Sequence, residues 1–246
     1  MQRLPVGPAL LSAGVVALLL LGAAPARAET TIGVQFLVVN GKHSEIAGSV
    51  PLSGVAPLLE LRQRWRWIDL TVEGLPAIGG QGYLVVPSGY VRPLTNASIF
   101  TALTHVSIGK TGRYWVGGGI TVINQITSLG SPPLAAASRV TGGRYEAVAL
   151  LPLGAHGEVD LRAAYMPVLH GNISYQTGYF APQPPDSETA EATDLTAEYL
   201  LHVHSLAFGL GARAINYGAH FVMPPTLADR NTSFGPIIEA RFRIAK

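Results

Sequence analysis

The sequence predicts an all-β protein whose strands close into one antiparallel, up-and-down barrel. Three observations support this. Apolar and polar residues alternate along successive segments, the gaps between segments are long and short in turn, and charged residues collect on one face of the segments. A period of two places successive side chains on opposite faces of an extended strand. We expect about ten strands, with eight as the alternative, because the first and fourth segments alternate least clearly.

The chain opens on a segment that is predicted to be removed after export. Arg3 provides a short positive stretch, residues 8–24 form an uncharged run rich in Leu, Val and Ala, and residues 26–28 read as a small-x-small cleavage signal. This is the pattern of a secretory signal peptide over residues 1–28, with a retained membrane anchor as the alternative. The mature chain, 29–246, is predicted to form a single domain. No later segment reaches the roughly 18 apolar residues that a transmembrane helix needs.

Composition excludes several classes of protein. Without Arg3 and Arg27 the seventeen Lys and Arg become fifteen, equal to the fifteen Asp and Glu, so the mature chain has no net charge and nucleic acid is not an expected partner. The absence of cysteine excludes a disulfide-stapled scaffold. Charged residues make up only 13%, against roughly 25% in soluble domains. This deficit favours a protein whose outer surface largely avoids water.

The predicted strands are close in length to the roughly 9–11 residues that a tilted spanning strand requires. In chain order they are Thr31–Val39, Val55–Arg64, Trp67–Glu73, Leu94–Val106, Arg113–Ile123, Gly143–Leu151, Glu158–Val168, Asp194–His204, Ala207–Tyr217 and Phe234–Ile244.

The connections fall into two classes. Tight turns are predicted at 65–66, 109–112, 154–157 and near 205, and long gaps at 40–52, 74–93, 124–140, 170–193 and 218–233. Strict alternation of the two classes puts all tight turns at one end of the barrel and all long gaps at the other. The gap near 170–193 is proline-rich and acidic, so a long acidic external loop is expected there.

One face of the strands carries the charges. Its acidic and basic residues include no Lys, and Arg is the cation suited to multiple hydrogen bonds with carboxylates in a confined space. We therefore predict a lumen filled by a charge network, with the apolar face turned to lipid. The predicted network comprises Glu60, Arg62, Arg64, Asp69, Glu73, Arg144, Glu146, Glu158, Asp160, Arg162, Asp194, Glu198, His202, His204, Arg213, Glu239, Arg241 and Arg243. Side chains can fill the interior of so small a barrel, so a wide pore is not expected.

Aromatic residues lie on the opposite, apolar face, several of them near strand ends. Aromatic girdles at the two membrane interfaces would have this distribution, although core aromatics of a soluble barrel would share it. These residues are Tyr114, Tyr145, Tyr165, Tyr199 and Phe242.

One polar grouping could carry chemistry. Glu198, His202 and His204 share a face, and Ser205 follows, which could indicate a metal site or a hydrolase constellation. The simpler interpretation is a set of polar lumen residues bound to neighbouring charges. No catalytic residue, metal ligand or cofactor is therefore predicted.

Through this repeated pattern of strands and gaps, residues 29–246 resemble the broad superfamily of small bacterial outer-membrane β-barrel proteins. The resemblance implies a transmembrane barrel in the cell outer membrane, with outer-membrane lipid and the barrel-insertion machinery as partners. Such proteins usually end on an aromatic residue that this machinery reads, whereas here Phe242 is followed by four further residues.

The function expected from this resemblance is non-enzymatic, with a structural, adhesion or narrow-solute-passage role in the envelope. The alternatives are a secreted soluble β-barrel that binds an apolar ligand inside, and a barrel-embedded hydrolase. The soluble alternative inverts the two faces, so that the apolar side chains would line the cavity.

Overall fold

Ten β-strands account for almost all of the described chain. The structure, a computed structural model, describes residues 29–45, 48–64, 69–82, 97–110, 113–129, 134–177, 186–221 and 228–245. The strands are β1 (Glu29–Glu45), β2 (Gly48–Arg64), β3 (Asp69–Gly82), β4 (Ala97–Gly109), β5 (Tyr114–Leu129), β6 (Leu134–Leu153), β7 (Gly157–Thr177), β8 (Asp186–Val203), β9 (Leu206–Phe221) and β10 (Ala228–Ala245). Within these residues, no helix has the length and apolar character that crossing a membrane requires.

The strands close into a barrel in which each pairs antiparallel with its neighbours in sequence. β1 completes the ring by pairing with β10, from Thr30 opposite Ala245 to Ser44 opposite Arg230. The predicted closed, up-and-down barrel of ten strands is therefore confirmed, and the eight-stranded alternative is wrong. β2 and β3 pair only near the turn end, from Leu59 opposite Gly74 to Arg64 opposite Asp69. Closure of the ring matters in hydrocarbon, where each unpaired backbone group would cost several kcal/mol.

The strands extend further toward the long-gap end than the sequence pattern predicted. They contain 13 to 21 residues. The gap predicted at 40–52 is mostly a hairpin, in which Asn40 pairs with Ser53 and Glu45 with Gly48. The long acidic loop predicted near 170–193 is correspondingly shorter, because residues 170–177 continue β7 and residues 186–193 begin β8. Residues 178–185, like the predicted signal peptide at 1–28, lie outside the described residues.

The tight turns gather at the opposite end, as the alternation of gaps predicted. Between β6 and β7 the turn spans residues 154–156, with Gly154 at φ 75°. Between β8 and β9 it spans only His204 and Ser205, and His204 adopts φ 58°. Histidine is among the few non-glycine residues enriched in this left-handed region. We call this end of the barrel the turn end and the other the loop end.

Near the turn end the outward face is apolar and the inward face is charged. Outward Leu195, Leu210 and Ile238 are each more than half exposed. On the same strands, inward Asp194, Arg213 and Glu239 are buried. The predicted assignment of the faces is therefore correct for this half of the barrel.

Toward the loop end both faces change character. The outward residues become polar and exposed: Asn40, Lys42, Ser53, Arg139, Thr141, His170, Asn172, Ser174, Ser187, Thr189, Glu191, Asn216, His220, Arg230 and Thr232. The inward residues become largely apolar, in a buried cluster that includes Leu37, Leu58, Met166, Leu169, Ile215, Tyr217 and Ile237. We call this half of the barrel the extension and its buried cluster the upper core. The extension has the inside and outside of a protein in water, whereas the turn-end half has them reversed.

Candidate functional site

The candidate site is the charged layer inside the turn-end half. It lies between two apolar layers, because on several strands the residue two positions toward the loop end belongs to the upper core. Leu58 lies above Glu60 in this way, on the side of the loop end, and Ile237 lies above Glu239. Toward the turn end, a second apolar cluster of Trp115, Val148 and Leu150 lies below the charges.

Asp194 is the centre of one half of the layer. Arg213 binds it through two hydrogen bonds, Nε to Oδ1 at 2.9 Å and Nη2 to Oδ2 at 2.7 Å, and also donates to Glu73. Arg144 reaches the same Oδ2 atom at 3.2 Å through Nη2 and donates from Nε to Glu146 at 3.0 Å. Two planar guanidinium groups thus hold one carboxylate from neighbouring directions, a geometry that lysine cannot provide.

Asp160 is the centre of the other half. Arg162 donates to it at 2.8 Å through Nη2 and to Glu60 at 2.7 Å through Nη1. Arg241 donates to Asp160 at 3.2 Å through Nη1, to Glu198 Oε2 at 3.0 Å through Nη2, and to Glu239 Oε1 at 2.5 Å through Nε. These bonds join β2, β7, β8 and β10 across the lumen.

The layer closes the barrel. A cavity of about 10 Å³ remains between Glu60, Glu73, Asp194 and the surrounding arginines. This volume is close to the minimum for one water molecule, roughly 10–15 Å³. At this level the described side chains therefore leave little more than the space of one water molecule between them.

The structure places most of the predicted network residues in this layer, but not all. Arg64, Glu158, His202 and Arg243 lie at the turn end and are partly exposed. Of these, Arg243 Nε is 2.7 Å from Glu29 Oε1, and His202 Nε2 is 4.0 Å from Glu158 Oε1. The side chain of Asp69 lies outside the described part of the structure.

The prediction for His204 is wrong. β8 ends at Val203, so His204 lies in the exposed turn, where the period of two no longer determines the direction of its side chain. Its separation from the interior also removes the grouping that suggested metal or hydrolase chemistry. Glu198 binds Arg241 instead. Among the described residues, no group of three or more His, Asp or Glu could hold a metal ion.

Several polar residues of the layer were missed from sequence. Gln35 Nε2 donates to Glu239 at 3.1 Å, and Ser107 Oγ donates to Glu146 at 3.0 Å. His105 is buried with Nε2 at 3.6 Å from Glu73. Gln35 shares a face with Gly33 and Leu37, so the alternation on β1 would have placed it inside. The β4 alternation is too blurred to place His105 and Ser107.

Comparisons with known proteins were made on sequence and on structure. No protein-family model matches the chain, and no curated protein matches it significantly. Among solved structures, the outer membrane protease OmpT from Escherichia coli is similar, with a TM-score of 0.59 and 8% identity, covering 88% of this chain and 97% of that one. The β domain of the Bordetella autotransporter BrkA gives a TM-score of 0.44 at 10% identity, covering 90% of this chain and 100% of that one. The Pseudomonas putida toluene transporter TodX gives 0.37 at 9% identity, covering 92% of each chain.

At these identities the likeness concerns the fold and not the activity. The protease likeness, which alone of the three exceeds a TM-score of 0.5, covers nearly the full length of both chains. Together with the closed ring of ten strands and the inverted faces, it shows that the chain has the fold of the bacterial outer-membrane β-barrels as a broad class. It does not assign the chain to a particular family within that class.

Proposed function

We propose that the protein is an integral outer-membrane β-barrel without enzymatic activity. The turn-end half anchors it in lipid, and the extension presents a structural or adhesive surface outside the bilayer. The observation that carries this proposal is the change of both faces partway along the same strands. Apolar residues face outward where the interior is charged, and polar residues face outward where the interior is apolar. Two different solvents around one barrel account for this change.

The dimensions support this division. A strand of 18 residues such as β10 covers roughly 60 Å along its own axis and about 45 Å along the barrel axis at a tilt near 40°. The apolar band of a membrane barrel is only about 25 Å tall. About 20 Å of wall therefore remains for the extension.

The outward aromatic residues support the position of the band. Tyr114 and Phe242 lie within a few residues of the turn end, whereas Phe234 lies two residues from the polar outward residue Thr232. Girdles of aromatic residues flank the apolar band of a membrane barrel at both interfaces. These positions therefore fit the two edges of the band, while Tyr199, which pairs with Leu210, lies nearer its middle.

The closed charged layer favours a structural or adhesive role over passage of solutes. A narrow pathway would need a continuous polar route, and here the upper core lies on the loop side of the charges and the smaller Trp115 cluster lies on part of the turn side. The same layer disfavours a soluble barrel with an apolar ligand inside, since the central level of the interior is ionic.

Cell fractionation and electrophoresis test the anchoring. We expect the protein in the detergent-soluble outer-membrane fraction, with different gel mobility before and after heating, and its amount should fall when the barrel-insertion machinery is depleted. A protein that stays in the aqueous periplasmic fraction would contradict the proposal. Planar-bilayer recordings test the closed lumen, for which we expect no stable conductance steps. A known porin serves as the positive control.

A further inference from the structure

Two carboxyl groups of the charged layer share one arginine, and each lies over a glycine. Glu198 on β8 and Glu239 on β10 are separated by β9, where Gly209 pairs directly with Glu239. A Cβ atom at Gly209 would lie 1.9 Å from Glu198 Oε1. On the other side, a Cβ atom at Gly33 would lie 2.6 Å from Glu239 Oε1. The two glycines therefore leave the space that these carboxyl groups occupy.

One guanidinium group binds both of them. Arg241 donates to Glu239 from Nε at 2.5 Å and from Nη2 at 3.1 Å, and the same Nη2 atom donates to Glu198 Oε2 at 3.0 Å. Arg241 also donates to Asp160. Its single positive charge is therefore divided among three carboxyl groups.

The charges of the layer do not balance. Among the described residues that bond within the layer, all buried except the partly buried Arg162, seven carboxyl groups face five guanidinium groups, which leaves two negative charges in excess when all are ionised. The carboxyl groups are Glu60, Glu73, Glu146, Asp160, Asp194, Glu198 and Glu239, and the guanidinium groups are Arg62, Arg144, Arg162, Arg213 and Arg241. Removing an unpaired ion from water is unfavourable. A proton bound among these carboxyl groups would offset part of the excess.

Glu198 marks one place where positive charge is lacking. Its Oε1 atom is buried and has no hydrogen-bond partner among the described residues. An ionised Glu198 would leave this oxygen without solvent or donor, beside a second carboxylate on the same arginine. On the neighbouring strand β7, Asp160 pairs directly with Glu198 and is another acidic side chain that faces inward.

We propose that the Glu198 and Glu239 carboxyl pair is a proton-binding site that holds one shared proton at neutral pH. The proton removes the repulsion between the two groups and leaves Arg241 facing one net negative charge from the pair. The groups that face the site from the surrounding strands are Asp160 and Arg162 of β7, Arg241 of β10, Glu60 and Arg62 of β2, and the uncharged Gln35 of β1. β9 contributes only Gly209 and Gly211 at this position.

A retained proton makes the stability of the barrel depend on pH. The folded barrel then binds one proton more than the unfolded chain, which releases it at neutral pH. Stability must fall as pH rises, and the unfolding equilibrium constant increases by up to tenfold per pH unit. The Glu198→Gln variant has a neutral amide in place of the protonated carboxyl group, so it should lose this part of the pH dependence.

Infrared spectroscopy of the folded full chain in detergent tests the proposal directly. We expect the carbonyl stretch of a protonated carboxylic acid at neutral pH, shifted in D₂O and reduced in Glu198→Gln, while the control Glu158→Gln at the partly exposed turn end leaves it unchanged. Glu239→Gln provides a second variant should Glu198→Gln fail to fold. A band unaffected by either variant, or no such band in the wild-type protein, would overturn the proposal. Stability that rises with sodium concentration at fixed pH and constant ionic strength in the wild-type protein, but not in Glu198→Gln, would also overturn it, because a metal cation would then occupy the site.

Discussion

Leu210→Arg tests the position of the lipid face. Leu210 is 64% exposed on the outward face of β9 and lies directly between Tyr199 of β8 and Ile238 of β10. It is near the middle of the outward apolar residues of these strands. An arginine at the bilayer midplane of a membrane barrel costs about 2–4 kcal/mol. The unfolding equilibrium constant of the barrel in lipid vesicles should therefore rise by about 30- to 700-fold.

Asn216→Arg is the matched control, because it makes the same kind of change on the same face of the same strand. Asn216 is exposed and lies six residues toward the loop end. Six residues cover about 20 Å along a strand. When the strand is tilted near 40°, this corresponds to about 15 Å along the barrel axis. Half of a 25 Å apolar band is about 12 Å. The control therefore lies outside the band and should cost about 0–1 kcal/mol.

Reversible urea unfolding in phosphatidylcholine vesicles, followed by tryptophan fluorescence and by the mobility of unheated samples on gels, measures both variants. The arginine at position 210 should lower the free energy of unfolding strongly, and the arginine at position 216 should hardly change it. Equal effects of the two substitutions would refute the placement of the band. A harmless Leu210→Arg would favour the soluble barrel, on whose surface an arginine faces water.

Three further predictions concern the interior and the backbone. Arg213→Met leaves Asp194 without its bidentate partner, so we expect the free energy of unfolding to fall by about 3–5 kcal/mol in urea titrations. Gly235→Ala should reduce the yield of folded barrel on gels, because its Cβ would lie 1.5 Å from the Val38 carbonyl oxygen, whereas Gly143→Ala, with open space around it, should not. In the extension, burial raises the pKa of Glu188 despite hydrogen bonds donated by Ser138 and Tyr217. Because its ionised form is disfavoured on folding, Glu188→Gln should increase stability at neutral pH, and the gain should disappear toward acid pH.

The sequence predicted the turn-end half of the barrel well because there the contrast between the faces is greatest. Between Asp194 and Val203 polar residues, with Leu200 as the one exception, alternate with apolar residues, and this pattern predicts a strand. From Ser187 to Ala192 the residues still alternate, but polar residues now face outward and the inward residues, apart from Glu188, are small and apolar. The reversal made Asp194 look like the beginning of a strand when it is the point where the surroundings of the barrel change.

The members of the charged layer could be predicted, but their pairing could not. Arg213 donates to Glu73, which is 140 residues away, and Arg241 donates to Asp160, which is 81 residues away. Such partners are set by the tilt of the strands and the closure of the ring, which no local pattern specifies. The proton site depends on the same closure, because Gly209 permits the approach of two acidic side chains from strands on either side of it.

The inward charges also have a consequence for the chain before it folds. The proposed function requires the chain to cross an aqueous compartment, where runs of five to seven β-prone apolar residues without charge aggregate. In the spanning part of β8, Asp194 and Glu198 interrupt every such run, and on β10 Glu239 and Arg241 do the same. Apolar residues could fill the lumen as densely without buried charges, but the spanning parts of β8 and β10 would then be nearly continuously apolar. On these two strands the inward charges therefore limit apolar runs in the unfolded chain, whereas β4 and β5 carry no charged residue and contain polar and glycine positions instead.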